Sequence, residues 1–574
     1  MPLNNDSDRT NNRNLIVAIV LFMATMFCYN YFTDNSSSTT DSQSSDSRSS
    51  AGMKREDSNE VAAAEQQKPE VSIQEAITNR HRVTISNENM VSSIDLDGCI
   101  LDIVTLKKYK QTTDKNSDNV RLLTPKGTHS EFYYEVSYKD KTNGESIAGN
   151  HVWVPVEERD GSVAASMRTK HGIEIRRTVE VDDGYLVNIT DEIKNVSGKS
   201  VAMSAVASLV KSNPTLKNYA VVHEGLVGVS LGKVDELKYS DVVGETRLSG
   251  SDWFGFTDIH WLCALINKDP NFTISHSKFG NNSLKISAMN NNDIELQPDA
   301  VITLRYSAFM GPKDIGILSD YGKRLGLQKF DMAIDFGWFF IVTKPLVYLM
   351  DIFANIFSNM GLVVLILTLM FKVLTYPLTK KSFASMAKMR ELQPKIANLQ
   401  KTYSHDKVRM NQELMALYKK ERVSPMSGCL PMILQAPIFF CLYKVFFVSI
   451  QMRHAPLFLW IRDLSAPDSL YIFNLFGAID WTPPGFLHIG VWPIIMGITM
   501  FLQQKLSSAG NARSAEKTSE QKMQENMMMV LPVIFTYICS SFPVGVVIYW
   551  TISNIVSVLQ QRYAMACAAK PNQR

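Results

Sequence analysis

One cation, Lys372, interrupts an otherwise uncharged stretch from Ile352 to Thr379. A charge set inside a bilayer is expensive, so such a residue marks either a function or a boundary. Its chemistry is electrostatic: an ammonium in apolar surroundings holds water and attracts carboxylates. The residues allow two readings. If the span covers 359–379, Lys372 lies within the hydrocarbon; if it covers Ile352 to Phe371, Lys372 is its positive flank, snorkelling to the headgroups. No covalent chemistry suggests itself elsewhere. His151, His223, His260 and Asp252 show neither metal spacing nor pairing with a nucleophile, and isolated histidines are commonly structural. The seven cysteines include no CxxC. Cys28, Cys429, Cys441 and Cys539 fall in apolar segments and Cys567 in the tail, while Cys99 and Cys263 suit either one disulfide or two buried thiols. No cofactor, metal or enzymatic step is expected.

Two unlike halves must place these residues. Net charge is +3 over 574 residues and mean hydropathy is −0.06, values that a soluble protein also shows. Averaging hides the contrast: the chain is mixed in charge up to residue 330 and apolar in long blocks beyond it, which predicts two domains and an anchor. The anchor, 1–33, is uncharged from Asn14 to Thr33, enough at about 1.5 Å per residue to cross roughly 30 Å of hydrocarbon. No small-x-small cleavage site follows it, and Cys28 sits behind Phe27, so a retained span with Arg9 and Arg13 on the cytoplasmic side is expected. Residues 34–79, rich in Ser, Asp, Thr and Gln, are expected to form a tether with too little apolar surface to fold. Across 80–330, period-two runs recur: Val83-Thr84-Ile85-Ser86, Phe132-Tyr133-Tyr134-Glu135-Val136, Val179-Glu180-Val181 and Tyr185-Leu186-Val187-Asn188-Ile189. Turn clusters such as Gly280-Asn281-Asn282 separate them, the pattern of a large β-sandwich.

From 331 to 574 the expected elements are helices of a polytopic membrane protein. An aromatic amphipathic helix over 338–351 suits the membrane interface. Spans are expected over 359–379, 427–449, 486–506, 526–541 and 545–561, with Phe542-Pro543-Val544-Gly545 dividing the last two. With the anchor this makes about six, both termini cytoplasmic, in keeping with the Lys and Arg concentrated in 380–422 and 505–522. Lys444, late in its span, reads as an anchor at the outer interface. Met386, Met389, Leu392, Ile396, Leu399 and Tyr403, a turn at Ser404-His405-Asp406, then Met410, Leu414 and Leu417 predict an antiparallel helical hairpin over 380–422. Eleven Lys and Arg against four Asp and Glu give it a charge of +7. That charge suits anionic lipid, RNA or an acidic nascent chain, and equally an ordinary positive-inside loop.

Several motifs carry a resemblance. Tyr376-Pro377-Leu378-Thr379, Ser385-Met386-Ala387-Lys388-Met389, Leu392-Gln393-Pro394-Lys395-Ile396, Gly428-Cys429-Leu430-Pro431 through Gln435-Ala436-Pro437-Ile438-Phe439, and Phe542-Pro543 through Ser553-Asn554 resemble the YidC membrane protein insertase family in order and spacing. The large outer domain, with Trp253-Phe254-Gly255-Phe256-Thr257-Asp258 and Trp261-Leu262, resembles the Gram-negative form. The resemblance implies a periplasmic β-supersandwich and a five-helix core around a hydrophilic groove, open to cytoplasm and lipid and closed toward the periplasm. It implies insertion, folding and assembly of inner-membrane proteins, alone or with the Sec translocon, without nucleotide hydrolysis. Lys372 aligns with the groove cation, where the family usually has Arg; the charge is kept but bidentate recognition of a carboxylate is lost. Thr368, Gln435, Phe439 and Trp550 fall at positions that line the groove or touch clients, Trp550 replacing a Tyr common there. The implied partners are nascent membrane proteins, Sec components, membrane lipids and, through the hairpin, the ribosome and signal-recognition receptor, with no sequence-specific nucleic-acid binding. Each groove residue has a plainer alternative: Thr368 bonding its own backbone, Gln435 joining two helices, Phe439 and Trp550 packing. A solute transporter is the competing class; the chain shows no repeated halves and no carboxylate within a span.

Overall fold

The computed structural model describes residues 72–78, 80–141, 146–147, 151–215, 222–280, 282–337, 339–357, 359–403, 405–423, 430–479, 481, 484, 487–508 and 519–568. The expected anchor, the tether as far as Val71, Trp338, Cys28, Cys429 and the tail beyond Ala568 lie outside these residues.

Among the described residues, antiparallel strands between Arg82 and Pro312 form two sheets. One runs, in spatial order, through Arg82–Ser86, Met90–Asp95, Ile100–Lys110, Phe132–Asp140, Val201–Ser212, Ser283–Asn290, Phe272–Phe279 and Glu245–Leu248. The other runs through Lys233–Leu237, Gly225–Ser230, Trp253–Thr257, Trp261–Ile266, Val301–Pro312, Leu186–Asn195, Ile173–Val181, Ser162–Arg168 and Val154–Arg159. The period-two runs fall in strands, Tyr185 alone lying just before Leu186–Asn195, because alternation gives a pleated ribbon one apolar face to bury. In Ile173–Val181 the inward row is Ile173, Ile175, Arg177, Val179 and Val181, a cation amid branched apolar side chains. Arg177 is tolerated there because its fork is filled. Nε and Nη2 donate to the two oxygens of Asp191 at 2.8 and 2.7 Å, two further N–H donors reach Val136 O and Cys99 O, and the guanidinium lies 4.8 Å from the Trp153 ring centre. Cys99 and Cys263 are both buried free thiols, so no disulfide joins them.

The helices, in chain order, are α1 Ile73–Thr78, α2 Ile315–Leu325, α3 Phe340–Ile356, α4 Met360–Thr402, α5 Lys407–Glu421, α6 Leu430–Val448, α7 Val491–Ser508, α8 Ser519–Cys539 and α9 Val544–Ala568. Among the described residues, Met360–Met389 and Val544–Ala564 are each long and apolar enough to cross a membrane, and Gln435–Val448 and Met529–Cys539 are shorter apolar helices. α4 does not stop where hydropathy falls at Thr379. It continues through the cationic segment to Thr402, with Asn359 capping its start, and α5 folds back beside it, where Lys395 meets Glu421 at 3.0 Å. α3, the helix expected over 338–351, extends to Ile356.

The sandwich is fastened to the helices by side chains near the C-terminal end of α6. Lys444, expected as an interfacial anchor, is buried, and its ammonium donates to Asp335 Oδ2 at 2.6 Å. Its long stem reaches a carboxylate in the connection before α3 instead of the headgroups. The same oxygen accepts the backbone N–H of His223 from the sandwich at 2.8 Å. One turn beyond α6, the Gln451 amide donates to Asp314 Oδ2 and Asp351 Oδ1, both at 2.9 Å, and Arg453 donates to Gln111 O at 3.1 Å. Burial would raise the Asp335 carboxyl, but Lys444 and the His223 N–H outweigh it and hold it below the ordinary carboxylate range.

Candidate functional site

α4 positions Lys372 with its ammonium turned inward, between α6 and α9. Nζ donates to Ser557 Oγ at 2.8 Å and to Gln435 Oε1 at 3.4 Å. Gln435 in turn donates from Nε2 to Tyr549 Oη at 2.7 Å, and Gln560 Nε2 donates to the backbone oxygen of Lys372 at 3.4 Å. Three helices thus contribute to one chain of polar groups. Lys372 is 8% exposed, and among the described residues it forms no ion pair with a carboxylate. All its side-chain partners are neutral.

Of the residues singled out in the sequence, Gln435 joins Lys372 directly. Phe439, one turn after Gln435 on α6, meets Trp550 of α9 with ring centres 4.6 Å apart. Phe535 lies 5.2 Å from Trp550, and Tyr443 lies 5.0 Å from Phe542, which extends the aromatic contact along α6, α8 and α9. Thr368 sits one turn before Lys372 but is fully buried, and its hydroxyl donates to Val364 O of its own helix at 2.7 Å. Its hydrogen is therefore spent within α4. The histidines of the sandwich do not converge with Asp252: His223 Nε2 faces Leu226 O and Asp252 accepts Gln328 N–H.

Sequence reading missed the polar face of α9. Tyr549, Ser553, Ser557 and Gln561 recur every four residues in an apolar helix, and all four are buried. That spacing places them on one side, facing α4 and α6. Asn554 extends the polar contacts to α7, donating to Thr499 Oγ1 at 3.3 Å. A polar stripe of period four in an otherwise apolar span was the available signal.

The arrangement solvates a cation without neutralising it. A hydroxyl and an amide supply acceptors, apolar helices exclude most water, and the positive field remains available to an incoming anion.

Comparison with known proteins places these features in context. The family model for the 60Kd inner membrane protein matches residues 352–571, and that for the YidC periplasmic domain matches residues 82–349. The membrane protein insertase YidC of Rickettsia massiliae (strain Mtu5) is 35% identical over 567 residues, covering 96% of this chain and 98% of that relative. Its counterpart in Rickettsia prowazekii (strain Madrid E) is 36% identical over 563 residues, with the same coverage of 96% and 98%. Among solved structures, an active YidC insertase with its first transmembrane domain resolved covers 85% of this chain and 92% of its own, at 16% identity and a TM-score of 0.35. A galactose mutarotase-like protein from Lactobacillus casei ATCC 334 covers 40% of this chain and 100% of its own, at 11% identity and a TM-score of 0.30. That likeness is too loose to speak for catalysis.

Proposed function

We propose, from the premise that the chain belongs to the YidC family of membrane protein insertases, that the polar seam around Lys372 is where a client's polar segment is held as it crosses. The protein's function is membrane protein insertion, and its β-rich domain is periplasmic, attached to an inner-membrane core. The finer topology belongs to the proposal: about six spans, both termini cytoplasmic, with α4, α6, α7, α8 and α9 as the insertase core.

Solvation supplies the mechanism. A charged side chain at the bilayer centre costs about 2.5 to 3.5 kcal/mol on the insertion scale, so a polar tail crosses slowly unaided. Within the seam the tail exchanges water for Ser557, Gln435 and Tyr549, and an acidic residue on it gains the attraction of Lys372. An ammonium carries three donors, of which Ser557 and Gln435 take two, so one is left for the client. The apolar part of the client leaves along Phe439 and Trp550 into lipid. Release breaks no covalent bond, only the single ammonium contact, because lysine binds a carboxylate as a point charge and not as a fork. Thr368 acts through packing.

Partners follow from the same reading: nascent membrane proteins as clients, anionic lipid and the ribosome at the basic hairpin, with Sec components and the signal-recognition receptor as further associates. The observation that carries the proposal is the Lys372 ammonium paired solely with neutral groups among the described residues. The test is insertion of a small single-span client into vesicles holding the purified chain, read by protease protection. Lys372→Glu is expected to impair clients with acidic translocated tails and to affect apolar ones mildly. Equal insertion of both sets would return Lys372 to the role of a snorkelling flank.

A further inference from the structure

The connection between α6 and α7 has a polar base and an apolar tip. At the base, Asp463 Oδ1 accepts the N–H of His454 and of Ser465 at 3.0 and 2.8 Å. Asp468, buried, accepts Trp460 Nε1–H and Leu470 N–H on one oxygen and the N–H of Trp492, in the first turn of α7, on the other. Those bonds fix the base to the start of α7. The tip begins where Tyr471 pairs with Gly490 and stacks on His488 with ring centres 4.6 Å apart. From Ser469 to Ile479 no side chain is charged.

The tip is folded. Phe476 N–H donates to Tyr471 O at 3.0 Å, Ile479 N–H to Asn474 O at 3.1 Å, and Gly477 N–H to Asn474 Oδ1 at 3.0 Å. Within it, Leu475 and Phe476 take left-handed backbone angles, φ 51° and 59°, which residues other than glycine adopt at a cost. Among the described residues no packing is gained in return, since these two side chains are 57% and 56% exposed. Phe473, Ile479 and Trp481 are exposed beside them.

We propose that the tip, residues 471–479 with Trp481, is a wedge embedded in the outer leaflet of the membrane. The proposal rests on the reading that α6 and α7 cross the bilayer, which sets their connection at its outer face. Three observations favour a lipid surface as the occupant. Charge is sparse at the tip, with Arg453, Arg462, Asp463 and Asp468 at the base, none from Ser469 to Ile479, and Asp480 alone between Ile479 and Trp481. Ile498, Phe501 and Leu502 of α7, the helix that follows the connection, also expose apolar side chains. Tyr471 and Trp481 flank the apolar side chains as aromatic residues do at headgroup level. Burial in lipid supplies the return for two strained apolar residues that packing within the chain does not.

The test uses the full chain in phosphatidylcholine–phosphatidylglycerol vesicles containing a phospholipid with a diazirine in its acyl chain, the adducts mapped by mass spectrometry. Adducts are expected between Tyr471 and Trp481 as well as on the exposed face of α7, and the double substitution Leu475→Asp with Phe476→Asp is expected to lower the former about fivefold or more and spare the latter. The unsubstituted map decides alone if that variant does not fold. Adducts on α7 with none at the tip overturn the wedge and leave the spanning reading intact, whereas their absence from both overturns the two together. Labelling of the tip by a diazirine on a client, with none from lipid, assigns the surface to clients and overturns the proposal.

Discussion

At the scale of single residues, the proposed function rests on keeping a charge solvated without a carboxylate partner. A carboxylate partner would cancel the field of Lys372, and no partner at all would make its burial prohibitive; Ser557 and Gln435 lie between these extremes. Removing one acceptor with Ser557→Val is expected to slow insertion of acidic-tailed clients roughly tenfold, the value of one hydrogen bond to a charged group. Thr368→Val is expected to stay within about twofold, since a hydroxyl bonded to its own helix contributes little. Initial insertion rates in vesicles check both. Lys372 was legible in the sequence because one charge in an apolar run has few explanations. The direction of the Thr368 hydroxyl was not, and Ser557 became visible only once α9 was known to turn its period-four face to α4. Titration reaches a different lysine. Burial, opposed in part by the Asp335 and Asp258 carboxylates, lowers the Lys313 ammonium of the sandwich from its ordinary 10.5 to about 8. Between about pH 8 and 10.5 the unfolded chain holds a proton that the folded chain has lost, so this group makes stability rise with pH across that window. Thermal unfolding of the detergent-solubilised chain should show that slope by comparison with Lys313→Met, in which it is absent, the difference amounting to about 1 to 3 kcal/mol.

At the scale of elements, α6 links the two halves of the molecule. Its N-terminal half carries Gln435 and Phe439, and its C-terminal end carries Lys444, with Gln451 and Arg453 just beyond, each bonded to the sandwich or its connection. Asp335→Ala strands a buried ammonium and is expected to cost about 3 kcal/mol, most of it recovered in the double variant with Lys444→Met. Unfolding midpoints of the four proteins in the cycle measure this. Helix packing makes a second demand: a Cβ on Gly497 of α7 would stand 2.1 Å from Thr536 Oγ1 of α8. Gly497→Leu should therefore separate α7 from α8, with lower thermal stability as the readout. The position of α4 was legible from hydropathy, but its end was not. Hydropathy marks where lipid stops, while backbone hydrogen bonding continues through Lys380 and past Pro377 and Pro394 to Thr402. The strands of the sandwich were legible because one buried face enforces alternation; their spatial order depends on contacts far apart in sequence, which alternation does not encode.

At the scale of the whole molecule, the proposed function makes the sandwich and the seam separable in task, although side chains join them near the C-terminal end of α6. Deleting residues 34–305 leaves Asp314, Asp335 and Asp351 to satisfy Lys444 and Gln451, so most insertion activity is expected to survive. Extending the deletion through Asp335 removes the Lys444 partner and should lower both stability and insertion, measured by protease protection of the same client. The most direct measurement of the central claim is photocross-linking to a client arrested midway, with the reactive residue placed in turn at 435, inside the seam, and at 373, where Val373 faces outward and is exposed. Adducts between position 435 and the polar segment of the client, with position 373 giving lipid or the client's apolar span, are the predicted result. Client adducts from 373 together with none from 435 would contradict it, showing that clients pass along the lipid face and not beside Lys372.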